Sequence, residues 1–348
     1  MSPPSLLALQ CAGMLAGAWL AGRLAQRLGQ PAVVGQLGVG FALAPLAGSM
    51  LFPAASLPRL ADASRVLLWL FLFDAGLETP SGPLRKLARQ AAFISTAGIV
   101  VPFALGAGLG LASAPALAAT LGRPSLFALF MGTALSITAV PVIASILREL
   151  RLLSSELGAL VMSAAVIDDA VGWTLLAVCA ALAGTGTGPK WWTAVSSAGP
   201  FLAGLAAGSS ARLRSALTPV SRAGRLLSPI FFAWAGLGAS WGAFSRPAWP
   251  ALFLLAACAG KLGGCWAGSR AAGLYARSSA AVAAAMNARG AMGLAAAAIG
   301  RSLGILAPEA YTMVLVVAAA TTVMTPPLLR RWAGDGYLRF SDKSGATS

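Results

Sequence analysis

The sequence predicts an all-α polytopic membrane protein of about eleven transmembrane helices. Three observations predict it. Of 348 residues, 58% are hydrophobic and only 10% charged, where a soluble chain carries about 25% charged residues. The mean hydropathy is +0.79. Apolar runs long enough to cross a bilayer, about 20 residues each, recur along the whole chain. Histidine is absent, which excludes imidazole as a proton shuttle or metal ligand. Cys11, Cys179, Cys258 and Cys265 lie in apolar runs without CxxC spacing and read as small packing residues. No cofactor is expected.

The apolar segments fall at about 5–22, 31–48, 64–79, 90–112, 125–147, 157–183, 191–208, 226–243, 248–269, 279–300 and 309–329. The first has no basic leader and runs into further apolar sequence, so it reads as a helix rather than a signal peptide. The third ends LFLFDAGLE, with Asp74 inside it and Glu78 at its end. The fifth holds Ser136, Thr138 and Pro141 near its middle. The sixth contains SAAVIDDAVGW, with Asp168 and Asp169. Between the seventh and eighth, the polar stretch 209–225 reads as a loop. The ninth holds Lys261, and the tenth contains NARGAMG from 287, with Asn287, Arg289 and Gly290. Three stretches, 31–48, 133–147 and 287–300, read as interrupted helices. Broken backbone at membrane depth is tolerated only where protein or a water-filled space satisfies it. Paired interruptions in two halves of a chain point to a transporter's central site.

The net charge of +15 is a topology signal rather than a nucleic-acid footprint. Loops after odd-numbered segments, with the C-terminal tail, hold seventeen Lys and Arg residues; the opposite loops hold six. The positive-inside rule then places the N-terminus outside and the C-terminus in the cytoplasm. The expected setting is the cell's inner (plasma) membrane, crossed many times, with the lipid bilayer as partner.

Five ionisable residues lie within the segments away from their ends: Asp74, Asp168, Asp169, Lys261 and Arg289. Each costs roughly 2.5–3.5 kcal/mol at the bilayer centre and normally pairs or lines a polar pathway. Neighbours on a helix point about 100° apart, so one of Asp168 and Asp169 can face a partner helix while the other faces a polar space. A carboxylate held near neutrality binds either a proton or a small cation, and the two compete. Pinning helices together alone would need only one neutral Asn.

SAAVIDDAVGW, preceded by TALSITAVPVIASILRELRLL, resembles the second branch of the monovalent cation:proton antiporter superfamily. QPAVVGQLGVGFALAP, LFLFDAGLE, GPFLAGLAAG, SPIFFAWAGLGAS, the lysine of AGKLGG and NARGAMGLAAA follow in family order. The resemblance implies an inverted-repeat antiporter fold with two crossing broken helices. It implies one transporter domain over 1–335, with a core at about 64–183 and 248–329 and a panel at about 5–48 and 191–243. A short cytoplasmic tail, 336–348, follows. By position, Asp169 matches the aspartate that binds cation and proton, with Na⁺ placed at Asp169 and Asp168. Lys261 matches the lysine paired with Asp168. Thr138 and Ser136 match polar positions of the first broken helix, and Arg289, Glu78 and Asn287 supporting positions of the core. Electrogenic exchange and a homodimer are implied; Na⁺ is the expected cation, with Li⁺ and K⁺ open.

The chain departs from the family in three ways. Arg289-Gly290-Ala291 stands where RGE is usual, so a supporting carboxylate is lost, and Asp74 is the candidate replacement. Eleven segments stand where thirteen are common, the shortening falling near Gly184–Trp191. No nucleotide-binding domain is read after Arg330, which argues against ligand-gated potassium-efflux members. A sodium-coupled organic-anion symporter of related fold and a non-transporting homologue stay open as alternatives. An intramembrane aspartyl protease built on Asp74 and one of the pair would need a GxGD stretch, which the sequence lacks. A transporter, not an enzyme, is the expectation.

Overall fold

The computed structural model describes residues 3–47, 49, 51–78, 87–118, 123–184 and 190–334. Within them the helices run α1 Pro3–Arg27, α2 Ala32–Leu43, α3 Leu57–Glu78, α4 Ala88–Leu117, α5 Pro124–Ser136, α6 Val140–Glu149 and α7 Glu156–Ala183. The second part holds α8 Lys190–Gly208, α9 Ala211–Leu237, α10 Ala248–Ala271, α11 Ala276–Met286, α12 Gly290–Ser302 and α13 Pro308–Trp332. Short 3₁₀ turns occupy Ala44–Leu46 and Trp241–Ser245. α5 with α6, and α11 with α12, are halves of broken elements, the second pair bent by 44°. Six elements are long and apolar enough to cross a membrane, and the bent pair makes a seventh. The others are short, as α2 is, or carry charge, as α3 and α9 do. The shortened Gly184–Trp191 linker and the 336–348 tail lie largely or wholly outside the described residues.

Two stretches differ from the sequence reading. The segment 31–48 is not interrupted: α2 is continuous over Ala32–Leu43, and only its end tightens into a 3₁₀ turn. Its glycines serve close approach, since a Cβ at Gly35 would strike the Ala21 carbonyl and one at Gly40 the Ala233 carbonyl. The stretch 209–225 is not a loop but the first half of α9. Arg212, Arg214, Arg222 and Arg225 are exposed on it, so a polar helix looked like a connection.

The chain holds two like triples, each a long helix, a broken helix and a long helix: α4, α5/α6, α7 and α10, α11/α12, α13. In each, the first helix packs on the first half of the broken one and on the last helix. The triples join mainly through α4 against α10. α1, α2, α3, α8 and α9 form the remainder; the main neighbours of α3 are α8 and α9.

Lipid supplies no hydrophobic drive between helices, so close van der Waals packing of small residues must hold them. α10 presents Gly260, Gly264 and Gly268 to α4 at every fourth position. A Cβ on them would lie 2.7 Å from Pro102 Cα, 2.5 Å from the Ala97 carbonyl oxygen and 2.5 Å from the Phe93 carbonyl oxygen. At one end of the molecule, polar bonds tie the second triple to α9. Tyr311 Oη donates to the Ala235 carbonyl at 2.7 Å. The Ser240 N–H donates to Thr312 Oγ1 at 2.7 Å. Arg301 donates to the Gly238 carbonyl and lies over the Tyr311 ring, 4.8 Å from its centroid.

The α4–α10 seam predicts a contrast between neighbouring glycines. Gly264→Val should lower stability by about 3 kcal/mol, the upper end for overpacking against backbone. Gly263→Val, whose Cβ meets nothing within 4 Å, should be near neutral. Melting temperatures of the two variants in the same detergent check this.

Candidate functional site

Each broken helix stops for a local chemical reason. α5 ends at Ser136, and Ile137 and Ala139 are extended. Pro141 follows in the first turn of α6. In a continuous helix its ring would clash with the Ile137 carbonyl and its missing N–H would leave that carbonyl unbonded. α11 ends at Met286, and Gly290 opens α12 at φ +33°, a left-handed conformation that glycine adopts at no steric cost. The breaks cross and bond to each other: the Ala139 N–H donates to the Ala288 carbonyl at 3.0 Å.

The cluster is built on the backbone groups these breaks set free. The C-terminal end of a helix carries partial negative charge, and two cations meet that of α5. Lys261 Nζ on α10 donates to the Ser136 carbonyl at 2.7 Å and to the Gly98 carbonyl at 3.0 Å. Arg289 Nη2 donates to the Leu135 carbonyl at 2.7 Å and to the Ala257 carbonyl at 2.8 Å, while Nε reaches Leu135 at 3.2 Å. Thr138 Oγ1 reaches the Met286 carbonyl at 3.4 Å. The first N–H of α12, on Gly290, donates to Thr322 Oγ1 at 2.8 Å.

α7 brings the aspartate pair to this crossing. Its N-terminus is capped by Ser155 Oγ, which accepts from the Gly158 N–H at 3.1 Å. Asp168 and Asp169 are each 1% exposed, yet their surroundings differ entirely. Asp168 accepts from Ser95 at Oδ1, and at Oδ2 from Thr138 Oγ1 at 2.7 Å and Lys261 Nζ at 2.5 Å. Among the described residues Asp169 has no hydrogen-bond partner at either oxygen. The 100° step between helical neighbours turns one carboxylate into the α4–α5–α10 contact and the other away from it.

The structure thus brings Asp168, Asp169, Thr138, Lys261, Asn287 and Arg289 to one crossing. Ser136 is also there, but its hydroxyl bonds the Thr133 carbonyl of its own helix at 2.9 Å, and only its carbonyl meets the lysine. Asp74 is elsewhere. On α3 it accepts from Ser221 and lies 3.8 Å from Arg225 Nη1, both on α9. It does not replace the carboxylate missing after Gly290. Among the described residues Arg289 makes no ion pair; backbone carbonyls and Asn287 satisfy it instead. Glu78 closes α3, and its side chain lies outside the described residues. The sequence reading missed Ser95, although Ser95 and Thr96 are the only polar residues in 91–112. It also missed the carbonyls of Gly98, Leu135 and Ala257, which leave no trace in residue type.

The buried pair predicts a specific non-additivity. Lys261→Met strands the Asp168 charge and should cost roughly 3–5 kcal/mol. Adding Asp168→Asn removes that charge and should recover most of the loss. Thermal melts of the two single variants and the double variant, in one detergent, read the coupling.

A family model described as "Sodium/hydrogen exchanger, transmembrane" matches residues 14–219 and 198–331. The Na⁺/H⁺ antiporter NhaS4 of Synechocystis is 29% identical over 89% of this chain and 93% of its own length. The Na⁺/H⁺-K⁺ antiporter GerN of Bacillus cereus is 28% identical over 92% and 95%. Cation/H⁺ antiporter 18 of Arabidopsis thaliana is 43% identical over 48% of this chain, and the matched part spans only 21% of that longer protein. The solved structure of the sodium proton antiporter MjNhaP1 from Methanocaldococcus jannaschii superposes with a TM-score of 0.64 over 95% of this chain and 98% of that one. At 14% identity it shows the fold. With an antiporter fold, two broken helices crossing at a buried aspartate pair and a family match over most of its length, the chain belongs to the sodium/hydrogen exchanger family.

Proposed function

We propose that the protein is a secondary antiporter that exchanges a monovalent cation, Na⁺ foremost, for protons, with Asp169 as the carrier. The observation that carries this reading is the contrast within the pair. Asp168 is held by three donors, while both oxygens of Asp169 are buried without a protein partner. A buried carboxylate in that condition needs either neutralisation or a counter-charge. A proton supplies the first, a small cation the second, and each excludes the other. That exclusion couples the two ions. NhaS4 and GerN are named for exchange of this kind, which supports the cation class.

Asp169 is closed to solvent in this conformation, at 1% exposure. Transport therefore needs the two helix triples to move against α1, α2, α3, α8 and α9, opening the site to one side at a time. We place the N-terminus outside and the C-terminus in the cytoplasm from the Lys and Arg asymmetry. The working unit is a homodimer in the plasma membrane.

Lys261 supplies the link to membrane potential. It is bound to Asp168, the neighbour of the carrier. A cation arriving at Asp169 brings a second positive charge to the cluster. If the lysine then releases its proton, each cycle moves more protons than cations and the exchange is electrogenic. A lysine in a buried site can do this; an arginine keeps its proton.

Two measurements in proteoliposomes test this. Asp169→Asn keeps the shape of the side chain but carries neither proton nor full charge, so cation-driven proton release should vanish at every pH while the protein folds. Sustained exchange by that variant removes Asp169 from the mechanism. Lys261→Arg should keep part of the exchange but lose its response to an imposed potassium-diffusion potential. Equal voltage responses in wild type and variant reduce the lysine to a fixed counter-ion.

A further inference from the structure

One buried donor near the carrier is not used by the reading above. Trp173 on α7 is 2% exposed, and its indole Nε1 has no hydrogen-bond partner among the described residues. It stands four residues after Asp169, one turn along the same helix face. Helical side chains lean toward the N-terminus and over the preceding turn, a direction that takes the residue at 173 toward the turn of Asp169. An N–H with nothing to donate to and a carboxylate with nothing to accept from thus share one buried face. The ring itself is held: it stacks on Phe201 of α8, with centroids 5.3 Å apart and planes at 25°. Gly172 beside it leaves room for Ile137 of the α5 break, whose Cγ1 would stand 3.0 Å from a Cβ there.

We propose that Trp173 is a positioning residue of the Asp169 site, its indole N–H reaching the Asp169 carboxylate through one bridging water. The proposal rests on the antiporter reading above. Indole nitrogen is a donor only, and a hydrogen bond to a charged acceptor is stronger than one to a neutral acceptor. Trp173 therefore favours the ionised, cation-loaded carboxylate over the protonated one and tilts the competition toward the cation. The other charged groups that act on Asp169 are Asp168 on its own helix and Lys261 on α10. α4, α5, α6, α8 and α11, packed against α7, carry charge only at their ends, in Arg89, Arg148, Glu149, Arg277 and Lys190, the last with its side chain outside the described residues. None of these offers an N–H to Asp169.

The test compares wild type, Trp173→Phe and Asp169→Asn. Trp173→Phe keeps an aromatic ring against Phe201 and removes the N–H. In proteoliposomes its KM for Na⁺ should rise about tenfold, the scale of one hydrogen bond to a charged group. Its kcat should stay within about twofold, and its pH–rate profile should move to higher pH, because the ionised form has lost a donor. A lowered melting temperature with KM and pH profile unchanged would mean a packing role only and overturns the proposal. A second readout does not use transport. In ¹⁵N-indole-labelled protein the Trp173 resonance is assigned by its loss in Trp173→Phe. It should shift on Na⁺ or pH titration of wild type and stay still in Asp169→Asn. A resonance indifferent to both titrations in wild type overturns the proposal. Wild type without cation–proton exchange, but with a pH-sensitive indole that Asp169→Asn silences, would refute the antiporter reading and uphold the contact.

Discussion

Two helices stop in the middle of this protein, and every backbone group they release must be answered from within. Lipid has no donors or acceptors to offer. That constraint accounts for the cluster. Lysine and arginine are there because the carbonyls of Leu135 and Ser136 need donors. Asp168 is there because a buried lysine needs a counter-charge. Thr138 bridges the two sides, reaching Asp168 and the Met286 carbonyl, and the Ala139–Ala288 bond fixes the crossing itself. The first charge thus follows from the break, and the second from the first.

The scaffold around the crossing follows from the same solvent. A lysine side chain on α10 reaches a carboxylate on α7 and carbonyls on α4 and α5 only if those backbones lie close. The glycine row on α10 permits this, and Gly98 on α4 offers its own carbonyl to Lys261. Small residues are the means by which membrane helices gain contact. Here they also set how far a side chain must reach, so packing and ion chemistry are one requirement. The long helices of each triple hold the breaks from both sides, and neither broken helix could persist alone.

Charge and proline were the legible part of this site. Asp168, Asp169, Lys261 and Arg289 stand out in apolar runs because their cost there demands a reason, and Pro141 and Gly290 mark the breaks by their backbone limits. What hydropathy reads badly is a helix that is polar or short. The arginines of α9 disguised its first half as a loop, and the glycines of α2 suggested a break where they allow close approach. Backbone ligands were invisible: a carbonyl such as that of Ala257 can belong to any residue. Asp74 shows the limit of reasoning from an inventory of charge. It balanced the count for Arg289, yet Ser221 and Arg225 on another helix claim it.

Placing two aspartates side by side solves a conflict that one could not. On the proposed mechanism the residue beside the lysine keeps its hydroxyl donors, Ser95 and Thr138, whether or not the lysine is charged, whereas the residue that carries ions changes partners at each step. A single carboxylate would have to break the Lys261 contact whenever it released a proton or a cation, stranding a buried charge at roughly 3–5 kcal/mol. Adjacent positions on a helix share one depth but not one direction. On the proposed mechanism Asp168 stays bonded while Asp169, one step round, exchanges its partner. The electrostatic link survives because the two are neighbours. The bonds tying α12 and α13 to α9 at Gly238, Ala235 and Ser240 lie at the other scale of the same problem. They hold one end of the molecule together in this conformation, and on the proposed mechanism an opening at that end would exchange those polar contacts for water.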